Sequence, residues 1–200
     1  MRITVTFQNI KPEGFVELPL HYNYALQGFI YNHISTHLAS FLHNRGYRYQ
    51  KRVFRMFTFS RLEGRYHIEK EKEAILFAGP VTLHISSPVD DFLQEFAETL
   101  ARASEVSIEK NMLVVSSIEV HFSPDIDSLA VIKMLSPLTC YSTFVSREGK
   151  KKTYYFSPFE KEFSELVRKN IVKKYISFYG RKPVSEDLKI TPLKVNKNSE

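Results

Sequence analysis

Tyr31, His43 and a run of cations between Arg45 and Arg61 are the residues of this sequence with the chemistry of a proton-transfer site. The run holds six basic residues, Arg45, Arg48, Lys51, Arg52, Arg55 and Arg61, and no acidic one. Tyr47, Tyr49, Phe54, Phe57 and Phe59 are interleaved with them. A histidine with a pKa of about 6.5 gives or takes a proton at neutral pH. A tyrosine, at about 10, is a poor base unless nearby positive charge lowers its pKa. The Arg48–Arg55 cluster could supply that charge, hold a phosphate, and stabilise charge developing on it. Base, acid and cation together suit metal-free RNA cleavage, in which a ribose 2′-OH attacks the adjacent phosphate. Each residue also has a plainer reading: a packed helix ring for Tyr31 and a surface residue near a helix end for His43.

Other groups offer less. His33 and His37 are four residues apart, the spacing of a metal pair on a helix. They straddle an expected bend, and no carboxylate or cysteine lies near them in sequence. His67, His84 and His121 fall in strand-like stretches and read as packing residues. Ser136 lacks the Gly-x-Ser-x-Gly context of a serine hydrolase. There is no P-loop and no Gly-x-Gly-x-x-Gly. Lys150, Lys151 and Lys152 could touch a phosphate backbone or be solvated hairpin charge.

The elements that must position Tyr31 and His43 follow from hydrophobic spacing. Leu26, Phe29, Ile30 and Ile34 recur at three- and four-residue intervals and predict a helix over 22–34. Gly28 inside it costs about 1 kcal/mol and suggests close packing or an approach to the backbone. Ser35 and Thr36 are N-cap types, and Leu38, Phe41 and Leu42 predict a second helix over about 36–44, stopped by Gly46. The split matters. On one straight helix Tyr31 and His43 would lie roughly 18 Å apart along the axis. A bend near Ser35 lets them face a common point.

Alternation predicts strands at Arg2–Phe7 and Val53–Leu62, another strand or hairpin from 65–68 and 74–77 continued by 81–86, and a long strand over 107–122 bent at Asn111. A helix over 91–103 carries Phe92, Phe96 and Leu100. The order β, αα, β, β, α, β is that of an antiparallel sheet with helices on one face, the ferredoxin-like plan. The turn-rich stretch 123–128 is the expected domain joint. Beyond it come expected strands at 129–135 and 139–145, a basic tip at 147–152, a return at 153–156, a helix over 158–179 stopped by Gly180, and a last strand at 188–195.

At 200 residues the chain suffices for one large domain or two small ones. The formal charge is +6. Residues 1–145 carry 14 Lys+Arg against 15 Asp+Glu, whereas residues 146–200 carry 14 against 7. Basic excess clustered in this way suits a polyanionic partner, though a merely basic protein shows it too. The single Cys140 forms no internal disulfide and excludes a cysteine metal site, which fits a reducing cytoplasm. No run of 18 apolar residues predicts a membrane span, and the alternating N-terminus is unlike a signal peptide.

Several stretches, in order, resemble one family. They are LQGFIYNHI (26–34), FLHNRGY (41–47), FRMFTFSRLEG (54–64), HISSP (84–88), MLSPL (134–138) and YYFSPFEKEFSELVRKNIVKKY (154–175). The set resembles the CRISPR-associated endoribonucleases that cut precursor CRISPR RNA within its repeats, the Cas-six family of the RAMP superfamily. The resemblance implies an α+β protein of tandem ferredoxin-like (RRM-like) domains. The first, 1–123, would hold the catalytic residues. The second, 129–200, would be a partial RAMP domain without the family's glycine-rich loop, since the last glycine is Gly180. It implies a reaction without metal or cofactor that leaves a 2′,3′-cyclic phosphate and a 5′-OH. By resemblance Tyr31, in the IYN motif, orients or deprotonates the 2′-OH, and His43, in the LH motif, protonates the leaving 5′-oxygen. Arg55 stands where the family often has a lysine, with Lys51 and Arg52 nearby. Arginine can stabilise phosphate charge but cannot act as an acid. Arg45, Arg48, Arg52 and Lys150–Lys152 would contact the RNA. The implied partner is CRISPR repeat RNA in the cytoplasm, with no membrane; a homodimer and other CRISPR-associated subunits stay open. Two alternatives remain at this point: an RNA-binding RAMP subunit that does not cut, and a small-ligand regulatory domain of ferredoxin-like fold.

Overall fold

A computed structural model describes residues 1–193 except Pro12, Asp127, Leu135, Ser136, Pro137 and Arg147. The chain divides into two compact units. One comprises 1–46 and 55–130, the other 47–54 and the chain from 131 onward.

The first unit is built on β1 (Arg2–Asn9), whose alternation sorts its side chains. Ile3, Val5 and Phe7 have no exposed surface and face the helices. Thr4 and Thr6 take the other face, where Thr4 Oγ1 lies 2.9 Å from both His84 Nδ1 and His121 Nε2. These two histidines tie the flanking strands to β1, so they are the packing residues the sequence suggested. After β2 (Phe15–Pro19) come the helices α1 (Asn23–Asn32) and α2 (Thr36–Ser40). Within this unit the chain continues through β5 (Thr58–Phe59), β6 (Glu63–Glu69), the long β7 (Ala74–Ser86), α3 (Asp90–Arg102), β8 (Val106–Ile108) and β9 (Asn111–His121).

Antiparallel pairing runs β9–β1–β7–β6. For the four strands of a βαββαβ unit this is order 4-1-3-2, the ferredoxin-like plan. The core lies between sheet and helices, where Phe29 meets Phe7 edge-on at 5.5 Å and Phe96 at 6.0 Å.

Three expectations change here. The alternating stretch 53–62 is two short pieces, because Met56 adopts φ 58 and interrupts it. The stretch 107–122 is a hairpin rather than a bent strand: Ile108 pairs with Asn111 across a two-residue turn in which Glu109 has φ 52. Gly28 marks no close packing, since a Cβ there would meet nothing within 4 Å. Gly28→Ala is therefore expected to stabilise the fold by about 0.5–1 kcal/mol, through lower entropy of the unfolded chain and better helix propensity. Thermal unfolding of the variant checks this, and a lowered midpoint would contradict it.

The second unit holds the hairpin β3 (Tyr47–Tyr49) and β4 (Arg52–Phe54), the ribbon β10 (Tyr141–Val145) and β11 (Lys151–Tyr155), and α4 (Lys161–Tyr179). The hairpin packs on α4: Tyr47 lies 5.2 Å from the Phe178 ring, and Lys174 Nζ sits 6.0 Å over Phe54. Residues 129–134 form no strand, and neither do 188–193; positions 135, 194 and 195 of those expected strands lie outside the described residues. High β propensity makes a strand only where a neighbouring strand offers its hydrogen bonds. Helix α4 starts three residues later than expected. Its N-terminal turn is held by Glu160, which accepts from the Ser157 backbone N–H at 2.6 Å and the Tyr154 hydroxyl at 2.9 Å. No helix among the described residues is long and apolar enough to cross a membrane.

Candidate active site

The site is assembled at the broken helix. Helix α1 buries Leu26, Phe29 and Ile30. Tyr31 follows one residue on, about 100° around the axis, and so sits half-buried on the helix flank. The helix stops at His33, whose Nδ1 donates to the Phe29 carbonyl at 2.7 Å and whose ring packs against Phe29 and Phe96. Ser35 then caps α2, its Oγ accepting from the Leu38 N–H at 3.3 Å, while the Glu95 carboxylate takes the Ser35 N–H at 2.9 Å.

Helix α2 does not end in an ordinary turn. Residues Phe41–Arg45 widen into a π-helical turn closed by a bond from the Gly46 N–H to the Phe41 carbonyl at 2.7 Å. Gly46 combines φ 57 with ψ −166, a region essentially reserved for glycine. Such turns shift the side chains that follow and recur at functional sites. Here the turn carries His43. With the bend at Ser35 it brings the His43 ring to 5.9 Å from the Tyr31 ring, edge-on at 78°. Asn32, Thr36, Ser40, Asn44 and these two rings line an open groove of about 470 Å³.

Arg55 comes from the interrupted strand. The Ser87 hydroxyl donates to the carbonyl of left-handed Met56 at 2.7 Å and accepts the Val89 N–H at 2.9 Å, which clamps the break. Phe57 beyond it packs edge-on against Tyr31 at 5.7 Å and, tilted by 30°, against Phe92 at 5.0 Å. The Tyr31 ring is thus held between His43 and Phe57. Its hydroxyl lies beside the Arg55 guanidinium and the Gln27 side chain, but without good hydrogen-bond geometry to either. Tyr31 Oη and Arg55 Nη1 are both buried and unpartnered. Leaving a buried polar group unsatisfied costs about 1–3 kcal/mol. Two such atoms on neighbouring side chains make a place suited to an anion or a hydroxyl.

Burial raises the Tyr31 pKa above its ordinary 10.0, partly offset by the Arg55 charge. Burial also raises that of Tyr22, partly offset by the Leu62 N–H it accepts at 3.1 Å. In both cases the folded value exceeds the unfolded one. The stability these neutral phenols contribute is therefore complete below about pH 10 and lost as pH rises through the folded values. In a difference absorbance titration of wild type against Tyr31→Phe, the Tyr31 phenolate is expected only above the ordinary range. Its appearance at lower pH would show that Arg55 outweighs burial.

The remaining candidates are distributed. Arg45 is exposed at the end of the π turn, in the first unit. Arg48, Lys51 and Arg52 are exposed on the β3–β4 hairpin of the second unit. Of the cations considered for the third role, Arg55, Lys51 and Arg52, Arg55 is the one in the same unit as Tyr31 and His43. Lys150 lies in the β10–β11 turn, but Lys151 and Lys152 belong to β11, opposite Val145 and Phe144. Arg147 and Ser136 lie outside the described residues. Gln27, Ser40 and Asn44 were not singled out from the sequence. The four-residue spacings Gln27–Tyr31 and Ser40–Asn44 are the signal that could have found them.

The pattern of CRISPR-associated protein Cas6, N-terminal, matches residues 17–119, more than half of the chain. The chain belongs to the Cas6 family. The pattern of CRISPR associated protein Cas6, C-terminal, matches residues 119–200. The CRISPR-associated endoribonuclease Cas6 1 of Methanocaldococcus jannaschii is 29% identical over 182 residues, covering 91% of this chain and 68% of the relative. The CRISPR-associated endoribonuclease Cas6 of Pyrococcus furiosus is 28% identical over 175 residues, covering 85% of this chain and 62% of its own length. The solved structure of a Cas6-related protein from Pyrococcus furiosus superposes with a TM-score of 0.75 at 23% identity, over 97% of this chain and 77% of that one. That likeness is one of fold, and it agrees with the ferredoxin-like plan of the first unit.

Proposed function

We propose that this Cas6-family chain is an endoribonuclease that cuts precursor CRISPR RNA within its repeats, without a metal ion. The observation that carries the reading is the His43 ring set edge-on to Tyr31 at 5.9 Å, with the Arg55 guanidinium beside the Tyr31 hydroxyl and the buried Tyr31 Oη and Arg55 Nη1 left unpartnered. The relatives bearing the endoribonuclease name support the reaction class.

The 2′-oxygen attacks phosphorus while the bond from phosphorus to the 5′-oxygen breaks. The products are a 2′,3′-cyclic phosphate and a 5′-OH. Burial keeps Tyr31 a neutral phenol, so its oxygen orients the 2′-OH by accepting its hydrogen bond rather than acting as a standing phenolate, and the 2′-OH proton passes to solvent water as the oxygen bonds to phosphorus. Protonated His43 delivers a proton to the departing 5′-oxygen, which would otherwise leave as an alkoxide. The always-charged Arg55 guanidinium offers Nη1 to the phosphate oxygens as charge builds on them. Arg45, Arg48, Arg52 and Lys150–Lys152 would hold the RNA backbone, which makes affinity fall with salt.

Replacing the scissile 2′-OH by hydrogen tests the reading. The deoxy-substituted repeat should bind and stay intact, because it lacks the nucleophile. Cleavage of that RNA at the same bond would show that water attacks instead.

A further inference from the structure

His43 and Asn44 are consecutive residues of the π-helical turn, and both are exposed. Packing on all sides therefore does not fix the imidazole. Two contacts do so: the Tyr31 ring on α1, and a hydrogen bond of 2.9 Å between His43 Nδ1 and Asn44 Oδ1. The other end of the Asn44 amide is held as well, since Nδ2 donates to Ser40 Oγ at 3.1 Å. Ser40 lies one turn earlier and holds that end of the amide; the imidazolium, whose two nitrogens both donate, is what requires Oδ1 to face it.

A carboxamide oxygen accepts and never donates. With Oδ1 facing it, Nδ1 must carry the hydrogen, both in the neutral ring and in the imidazolium. Nε2 is then the nitrogen left to exchange a proton. We infer that Asn44, held at its other end by Ser40, is a positioning residue for His43, holding Nδ1–H throughout the reaction and making Nε2 the proton-transferring atom. The inference rests on the acid role proposed for His43.

The proton count is consistent with this. The imidazolium gives its Nε2 proton to the 5′-oxygen as the bond from phosphorus to that oxygen breaks. The ring left behind is neutral with hydrogen on Nδ1, the form Asn44 already accepts from. The hydrogen bond survives the step and no ring flip is needed. Without Asn44, the broad two-fold χ2 torsion of histidine lets the two nitrogens exchange places. The groups facing His43 are then the Tyr31 ring, Asn44 and Ser40; among the described residues no carboxylate forms an ion pair with it.

The test pairs a spectrum with a rate. Nitrogen-15 NMR of the full chain above the His43 pKa reads the tautomer directly, without RNA and without activity. The expected result is Nδ1–H in wild type and a mixed tautomer in Asn44→Leu. Single-turnover cleavage at saturating repeat RNA should fall about tenfold in Asn44→Leu, the effect of one lost orienting hydrogen bond, with RNA affinity unchanged. Asn44→Asp keeps the acceptor and adds charge that favours the imidazolium. It should restore the rate and move the alkaline limb of the pH profile upward. An Nε2–H wild-type ring would mean that the amide presents Nδ2 instead, and would overturn the inference. An Asn44→Leu rate equal to wild type would also overturn it. A His43→Ala chain that cuts normally would overturn the acid role itself. That failure is distinguishable, because the tautomer spectrum is read independently of any cleavage.

Discussion

Replacing His43 by alanine is expected to slow single-turnover cleavage of a repeat-containing RNA by about 10²–10⁴-fold, the usual worth of a positioned general acid. RNA affinity should change little, because His43 is an exposed residue on a π turn whose fold is set by Leu42 and Gly46 rather than by the imidazole. The loss should fall on kcat and not on KM, the mark of an interaction made in the transition state. The neighbouring histidines provide the control. His33 is engaged with the Phe29 carbonyl and the Phe96 ring, so His33→Ala should cost stability and leave the chemical step near wild type. Equal kinetic losses in the two variants would remove the special role of His43.

Arg55 should show the next largest effect. Arg55→Ala is expected to lower the rate at saturating RNA by about 10²–10³-fold, as for the removal of one preorganised donor to developing charge. The variant loses the Nη1 donor held in reserve beside Tyr31. It also removes the charge that partly opposes burial at the Tyr31 hydroxyl, so the phenol becomes still harder to ionise. Arg55→Lys should recover part of the rate, since it restores a point charge without the planar fork. Losing Nη1 itself should cost little stability, because that buried donor has no partner to break. A variant that folds, binds and cuts at the wild-type rate would leave the phosphate without its cation.

The parts of this site legible in the sequence were those set by local chemistry. Ser35 is a capping type followed by a new apolar stripe, and the structure bends the helix there, with Ser35 Oγ on the Leu38 N–H. Glycine at 46 marked the stop, and its positive φ shows why. The apolar stripes of α1 and α3 fixed which faces meet the sheet, and the order of strands and helices carried the ferredoxin-like plan. The break at Met56 was not legible. FRMFTFS alternates without interruption, and the kink is imposed from a distance by Ser87, whose hydroxyl holds the Met56 carbonyl. The grouping of the β3–β4 hairpin with α4 depends on Tyr47 and Phe178, residues more than a hundred positions apart. The Ser40–Asn44–His43 chain was half legible: the four-residue spacing of Ser40 and Asn44 is visible, whereas the π turn that carries His43 is a rare local widening that apolar spacing does not mark.

The most direct test of the central claim is end-group analysis of the RNA products formed in excess EDTA. A 2′,3′-cyclic phosphate on one fragment and a 5′-OH on the other, formed at an undiminished rate, is the result expected of Tyr31, His43 and Arg55 acting on the ribose itself. A 3′-OH with a 5′-phosphate, or cleavage that stops in EDTA, would contradict it and point to water activated by a metal ion.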